Sequence, residues 1–285
     1  MTDLKPLPVP ALMRKYGLFA KKSLGQNFLL DETALEKVVA ASEIPPGATV
    51  LEIGPGLGSL TRHLSRVSAR VVAVELDAGI LPALQEVLID AKNVTIVHGD
   101  ILQQDMASLV SDPGYLVVAN IPYYITSAVI RHLLEAPIKP SRLVLTMQKE
   151  VAERICAKPG DLSLLALSVQ VYGAPRQVVR IPAGAFFPPP KVDSAVLRVD
   201  LYPQPRISEE QMDVFFQLAK LAFAQKRKTL RNTLAAGLHW PPEQVAGLLA
   251  KAGIDPMRRA ETLSLDEWAQ LVDAYRLVKV NDTLI

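Results

Sequence analysis

From residue 48 onward, short runs of Val, Leu and Ile alternate with longer stretches of helical spacing. Ala48–Ile53, Arg70–Glu75, Val94–His98, Tyr115–Ala119 and Arg142–Gln148 are rich in aliphatic residues along their length, the pattern of strands buried on both faces of a parallel sheet. Between them, Ser59–Ser65, Ala78–Leu88 and Ser127–Leu134 have apolar residues three and four apart, which predicts helices. This βαβ alternation predicts an α/β fold with a doubly wound sheet and ligands at the carboxyl ends of its strands. Two later runs, around Leu164–Tyr172 and Ser194–Asp200, are read as added strands at one edge.

The stretch Tyr202-Pro203-Gln204-Pro205 interrupts this pattern and precedes a different texture. It sets the expected boundary between a catalytic domain, 1–202, and a small helical domain, 203–285. Ser208-Glu209-Glu210-Gln211 resembles a capping box, and Phe215, Leu218, Ala219, Ala222 and Phe223 follow at helical spacing. Ser264-Leu265-Asp266-Glu267 repeats the start signal, with Trp268, Leu271, Val272 and Tyr275 as its apolar stripe. These aromatic stripes are read as core.

Composition adds exclusions. In 285 residues, 49% hydrophobic, no uninterrupted apolar stretch approaches the roughly 18 residues of a membrane span, and no apolar leader follows the N-terminal Lys and Pro residues. A cytoplasmic location is expected. A single cysteine, Cys156, within a helical-looking Lys149–Lys158 segment, precludes an internal disulfide or a Cys-based zinc site. His63, His98, His132 and His239 form no short ligand pattern, so no metal is expected.

The net charge of +2 conceals an uneven distribution. Leu4–Leu30 holds five bases, Lys5, Arg14, Lys15, Lys21 and Lys22, and no acid. Val214–Pro242 holds five more, Lys220, Lys226, Arg227, Lys228 and Arg231, again with no acid. Surfaces normally mix signs, so two acid-free basic windows in a near-neutral chain point to anion contacts, most simply nucleic-acid phosphates.

Candidate chemistry lies at the predicted strand ends. In Glu52-Ile53-Gly54-Pro55-Gly56-Leu57-Gly58 the glycines follow a strand and open a helix, so backbone can approach a ligand that a Cβ would exclude. The spacing is G-x-G-x-G rather than the G-x-G-x-x-G of dinucleotide folds. Glu75 ends the next strand, 21 residues after Gly54, where a carboxylate can accept from ribose hydroxyls. Asp100 follows the third strand and can accept from an adenine amino group. Together these ends fit an adenosine ligand without pyrophosphate, which describes S-adenosylmethionine.

Asn120-Ile121-Pro122-Tyr123 closes the fourth strand and completes the chemistry. An adenine amine is a poor nucleophile because its lone pair is delocalised into the ring. An Asn oxygen and a neighbouring carbonyl, here that of Ile121, can each accept one N6–H and turn the lone pair toward an electrophilic methyl. Pro122 stiffens the loop. Tyr123 offers a ring on which an extruded base can stack, worth roughly 1–3 kcal/mol.

Across most of its length the chain resembles the ribosomal RNA adenine N6-dimethyltransferases of the small-subunit type. The resemblance rests on Lys22-Ser23-Leu24-Gly25-Gln26-Asn27-Phe28-Leu29, the glycine turn, Val74-Glu75-Leu76-Asp77, Gly99-Asp100 and the Asn-Ile-Pro-Tyr block. It continues through Gln148-Lys149-Glu150-Val151-Ala152, Phe186-Phe187-Pro188-Pro189-Pro190-Lys191-Val192-Asp193-Ser194 and Phe223-Ala224-Gln225-Lys226-Arg227-Lys228-Thr229-Leu230-Arg231-Asn232. One departure is Leu164-Leu165, where many relatives carry Tyr-Gly; another is the order Tyr124-Ile125-Thr126-Ser127.

The resemblance implies a Rossmann-like class I methyltransferase sheet with a small C-terminal helical domain. It implies that Asn27 and Leu29 close over S-adenosylmethionine alongside Gly54, Gly56, Glu75, Asp100 and Asn120. Phe186 is expected to pack against the target adenine with Tyr123, and Lys226, Arg227, Lys228 and Arg231 to meet rRNA phosphates. Lys21 and Lys22 are also expected to bind RNA. The implied reaction is N6,N6-dimethylation of two adjacent adenosines near the 3′ end of 16S rRNA, with the immature small subunit as partner and the enzyme a monomer. The competing readings are a large-subunit rRNA dimethyltransferase, a non-catalytic assembly checkpoint and, least favoured, an adenine DNA methyltransferase.

Overall fold

The computed structural model describes residues 4–283. The chain divides into two compact units. The first comprises the chain up to Glu153 together with Pro175–Leu201, and the second comprises Arg154–Ala174 together with the chain from Tyr202 onward. This differs from the single boundary read at 202/203, because the segment after Glu153 joins the second unit before the chain returns to the sheet.

In chain order come α1 (Val9–Lys15), β1 (Phe28–Leu29), α2 (Glu32–Ser42), β2 (Thr49–Ile53), α3 (Ser59–Val67), β3 (Arg70–Glu75), α4 (Leu81–Val87) and β4 (Val94–His98). Then follow α5 (Met106–Leu109), β5 (Leu116–Asn120), α6 (Thr126–Glu135), β6 (Arg142–Gln148), α7 (Lys149–Ile155) and α8 (Leu164–Gln170). After these lie β7 (Gly173–Ile181), β8 (Phe186–Phe187) and β9 (Ser194–Leu201).

Seven strands form one sheet in the order β4-β3-β2-β5-β6-β9-β7. Its first five strands are parallel and β9 runs antiparallel to β6. Val50, Leu51, Val71, Val117, Val118 and Leu143 through Leu145 are almost fully buried, as strands covered on both faces require. The chain travels from β2 through β3 to β4 toward one edge, and from β5 to β6 toward the other. The order therefore reverses between β2 and β5, and ligand crevices form at such a switch point. The glycine turn leaves β2 and Asn120 ends β5, so both motifs lie at that crevice.

Leu164–Tyr172, read as a strand, is instead the helix α8. A short apolar run fits a buried strand and a buried helix equally well. Here the Ser163 hydroxyl accepts from the Ala166 N–H at 3.2 Å, and Leu and Ala favour the helix. The added strand is β7, whose exposed Arg176, Gln177 and Arg180 and early Pro175 mark an edge strand rather than an apolar run. Cys156 lies just past the end of α7 and is half-buried.

The second unit contains α8, α9 (Glu209–Phe223), α10 (Leu230–Leu238), α11 (Pro242–Lys251) and α12 (Leu265–Thr283). Phe215, Leu218, Trp268, Leu271 and Val272 form its core, with Phe215 and Trp268 edge to face at 6.0 Å. Before α12 the Ser264 N–H donates to Glu267 Oε2 at 2.8 Å and the Glu267 N–H donates to Ser264 Oγ at 3.2 Å, a reciprocal capping box. At α9 the Ser208 hydroxyl instead bonds the Gln211 side chain at 3.1 Å and caps no backbone group.

Candidate active site

One pocket opens at the switch point. Its wall is built from Leu24–Leu29, Glu52–Leu57, Val74–Leu76, Gly99–Ile101 and Asn120–Ile125. Asn27, Leu29, Gly54, Gly56, Glu75, Asp100, Asn120, Ile121, Pro122 and Tyr123 are thus brought to a single cavity. They come from five segments spread over about a hundred residues of sequence. Four lie at the carboxyl ends of β2, β3, β4 and β5, and the fifth, Asn27–Leu29, is carried by β1.

The glycine turn is a cradle that side chains would fill. Gly54 and Gly56 have φ of +69° and +57°, and a Cβ on Gly56 would lie 3.0 Å from the Phe28 ring. The Gly56 N–H donates to Glu75 Oε2 at 3.0 Å, and Glu75 Oε1 accepts from the Asp77 N–H at 2.8 Å. Burial pushes the Glu75 carboxyl above its ordinary range, and these hydrogen bonds oppose the shift. Asp100 Oδ1 caps a turn by accepting from the Leu102 N–H at 3.0 Å.

Glu52, the one acidic residue of β2, also lines the pocket. It is buried, and its Oε2 has no hydrogen-bond partner among the described residues. Burial pushes its carboxyl up to about 8, and the nearby Glu75 charge adds to the rise. The sequence signal for it was its place on an otherwise apolar strand. A cradle without side chains, a buried carboxyl at the next strand end and an orphaned carboxyl oxygen suit a nucleoside that carries positive charge.

Asn120 Nδ2 donates to the Asn27 carbonyl at 3.0 Å. Only the amide nitrogen can make this bond, so Oδ1 is left as the acceptor. The Ile121 N–H is held by the Thr146 carbonyl at 3.2 Å, which ties the loop to β6. Tyr123 is half-buried, and its hydroxyl lies 2.7 Å from the hydroxyl of fully buried Ser194. Burial raises the Tyr123 phenol, opposed by the bond to Ser194. Sequence reasoning gave Ser194 no part.

Phe186 is placed differently from the target-facing position expected of it. It is 4% exposed and packs in the hydrophobic core with Leu29, Leu35 and Val196, off the pocket wall, whereas Phe187 is 38% exposed. β8 pairs antiparallel with β1, setting Leu29 opposite Phe186 and Phe28 opposite Phe187. Alternation along a strand turns adjacent side chains to opposite faces.

The basic residues fall into different settings. Lys22 is exposed, while Lys21 is paired with the carboxylate of Asp77 at 2.6 Å. In the second unit Lys226, Arg227 and Lys228 are exposed in the turn before α10, and Arg231 is half-buried. Among the described residues no group of three or more His, Cys, Asp or Glu side chains can hold a metal ion, and no helix is long and apolar enough to cross a membrane.

This arrangement has counterparts among known proteins. The chain is 48% identical over 266 residues to a ribosomal RNA small subunit methyltransferase A of Dehalococcoides mccartyi, covering 93% of this chain and 91% of the relative. It is 43% identical over 283 residues to the protein of the same name from Pelotomaculum thermopropionicum, covering 95% and 96%. Among solved structures, the 23S rRNA methyltransferase ErmE aligns with a TM-score of 0.69 and 27% identity over 87% of this chain and 99% of that one. A dimethyladenosine transferase from Plasmodium falciparum shares the fold at a TM-score of 0.75 and 24% identity, over 90% and 98%. The profile of the ribosomal RNA adenine dimethylases matches residues 17–276, and with relatives this similar along nearly their whole length the chain belongs to that family.

Proposed function

We propose that this enzyme dimethylates N6 of two adjacent adenosines near the 3′ end of 16S rRNA in the immature small subunit, acting as a monomer in the cytoplasm. The methyl donor, S-adenosylmethionine, supplies an electrophilic methyl group on a sulfonium centre. The observation that carries the reading is the fixed Asn120 amide. Its nitrogen is occupied by the Asn27 carbonyl, and its oxygen remains as the acceptor beside the glycine cradle.

Each residue has a role that follows from its place. Gly54 and Gly56 admit the cofactor, Glu75 accepts from its ribose, Asp100 accepts from its adenine, and Asn27 and Leu29 wall the cavity. Asn120 Oδ1 and the Ile121 carbonyl accept from the target amine, and the Pro122 loop presents Tyr123 to the base. The opposing aromatic comes from the Phe186–Phe187 strand, with Phe186 anchoring it in the core. Catalysis is mainly positioning. The pocket wall contains no His or Lys, and none is needed, because a neutral amine attacks and the product ammonium loses its proton readily.

The exposed Lys22 and the Lys226–Lys228 turn are assigned to rRNA phosphates, with Arg231 beside them. The 48% relative bears a small-subunit name, whereas the 23S enzyme is 27% identical, which favours the small-subunit target.

The test is methyl transfer from labelled S-adenosylmethionine to undermethylated small subunits, large-subunit rRNA and duplex DNA in parallel, with nucleoside analysis. Dimethyladenosine in the small subunits alone is the expected result. Product in large-subunit rRNA alone would replace the target. Tight particle binding without transfer would favour the checkpoint role.

A further inference from the structure

The segment from Lys21 to Leu29 supplies one whole wall of the pocket from Leu24 onward, yet its only strand is the two-residue β1. What holds it in place is therefore a matter of particular side chains. At its far end β1 pairs with β8, and the Asn27 carbonyl accepts from Asn120. At its near end the contacts converge on one carboxylate.

Asp77 is almost fully buried, two residues beyond Glu75. Its Oδ1 accepts from Lys21 Nζ at 2.6 Å and from the Gly79 N–H at 3.0 Å. Its Oδ2 accepts from Gln26 Nε2 at 2.9 Å. Gln26 in turn uses its Oε1 to accept from the Lys21 N–H at 2.8 Å, so Lys21 and Gln26 form a clasp about one anion. Burial alone would raise the Asp77 carboxyl, but the hydrogen bonds from Lys21 and Gln26 prevail and hold it below its ordinary range. The Asp77 N–H donates to Glu75, whose other oxygen holds Gly56. A path of hydrogen bonds and short backbone links thus runs from Asn120 and Asn27 through Gln26 and Asp77 to Glu75 and the glycine turn.

We propose that Asp77 is a positioning residue that latches the Lys21–Leu29 segment over the cofactor pocket through Lys21 and Gln26. Lys21 then acts on the cofactor side of the reaction and is not a phosphate contact. The latch rests on the reading of this pocket as the S-adenosylmethionine site. Charge-assisted hydrogen bonds to a buried carboxylate are among the stronger polar contacts, so their loss loosens the wall without removing any group that touches the reacting atoms. Dimethylation of two adenosines requires four methyl groups, hence four cofactor exchanges, so the stability of this wall bears on turnover.

The test compares wild type with Lys21→Met and Asp77→Asn. Lys21 is half-exposed, so its substitution leaves the fold intact even if Asp77→Asn does not. Amide hydrogen exchange in the cofactor-free proteins is expected to quicken across residues 22–28 in both variants while the sheet stays protected. Calorimetry with S-adenosylmethionine is expected to show about tenfold weaker binding, the loss of roughly one charged hydrogen bond. The rate of a single turnover at saturating cofactor and the KM for the small subunit are expected to stay within about twofold of wild type. Unchanged exchange and cofactor affinity in Lys21→Met, with a raised particle KM and a shallower salt dependence, would make Lys21 a phosphate contact and overturn the latch. Failure of wild type itself to bind S-adenosylmethionine would overturn the pocket reading instead, and the cofactor-free exchange would still decide the latch.

Discussion

Asn120 and Asn27, 93 residues apart in the chain, are joined by a 3.0 Å hydrogen bond from the Asn120 side-chain amide to the Asn27 carbonyl. The bond orients the acceptor oxygen before any substrate arrives, and preorganised polar groups of this kind contribute strongly to catalysis. Asn120→Ala is therefore expected to lower kcat about 10²–10³-fold while particle binding changes little. Asn120→Asp keeps an acceptor but, like Asn120→Ala, cannot donate to Asn27, so both are expected to weaken cofactor binding, and only Asn120→Ala also loses the acceptor oxygen. Single-turnover methyl transfer and cofactor calorimetry separate the two effects. Undiminished transfer by Asn120→Ala would remove Asn120 from the mechanism.

Ser194 holds the Tyr123 hydroxyl from a fully buried position. Ser194→Ala and Tyr123→Phe remove the same bond, so each is expected to reduce kcat/KM on the small subunit about two- to tenfold, and the double variant no further. Additive losses in the double-mutant cycle would mean that the hydroxyls act separately. A Tyr123→Ala variant, which also removes the ring, is expected to lose more.

Glu52 predicts a pH dependence of stability. Its folded carboxyl titrates near 8 and its unfolded one near 4.5. Between those values the folded state holds the extra proton, so this group's contribution to stability falls as pH rises from about 4.5 to about 8 and is level above. Glu52→Gln should accordingly gain stability relative to wild type above pH 8, measured by urea unfolding at three pH values. A variant that loses stability equally at all of them would contradict a neutral Glu52. A cation in the pocket favours the carboxylate, so S-adenosylmethionine binding near pH 7 should release protons, seen as a buffer-dependent binding enthalpy.

Lys226, Arg227 and Lys228 stand exposed on consecutive positions. Replacing all three by Ala should weaken particle binding and flatten its dependence on salt, by about 0.7–0.9 in the log–log slope for each phosphate no longer neutralised. Cofactor affinity should not change. A full wild-type slope in the triple variant would place the rRNA-binding surface elsewhere.

The parallel strands could be read locally because their runs are short, rich in β-branched Val and Ile and separated by helical spacing. Only β2, β3, β5 and β6 are covered on both faces, whereas β4, at the sheet edge, has no fully buried residue. The residues at their ends followed, since a parallel sheet carries its ligands there, and Gly54, Glu75, Asp100 and Asn120 duly meet at one crevice. The Ser264–Glu267 capping box was equally visible, being complete within four residues.

Other features depended on partners distant in the chain. Phe186 and Phe187 give identical local signals, and only the pairing of β8 with β1 sends one ring into the core and leaves the other exposed. Lys21 reads as one of five bases in an acid-free window until Asp77, 56 residues away, is found against it. Leu164–Gln170 suited strand or helix by periodicity alone, and a capping serine with packing in the second unit settled it. Hydrophobic pattern and turn chemistry act over a few neighbouring residues and so are written in the sequence, whereas burial, charge pairing and the face a side chain presents are decided by segments that meet only when the chain folds.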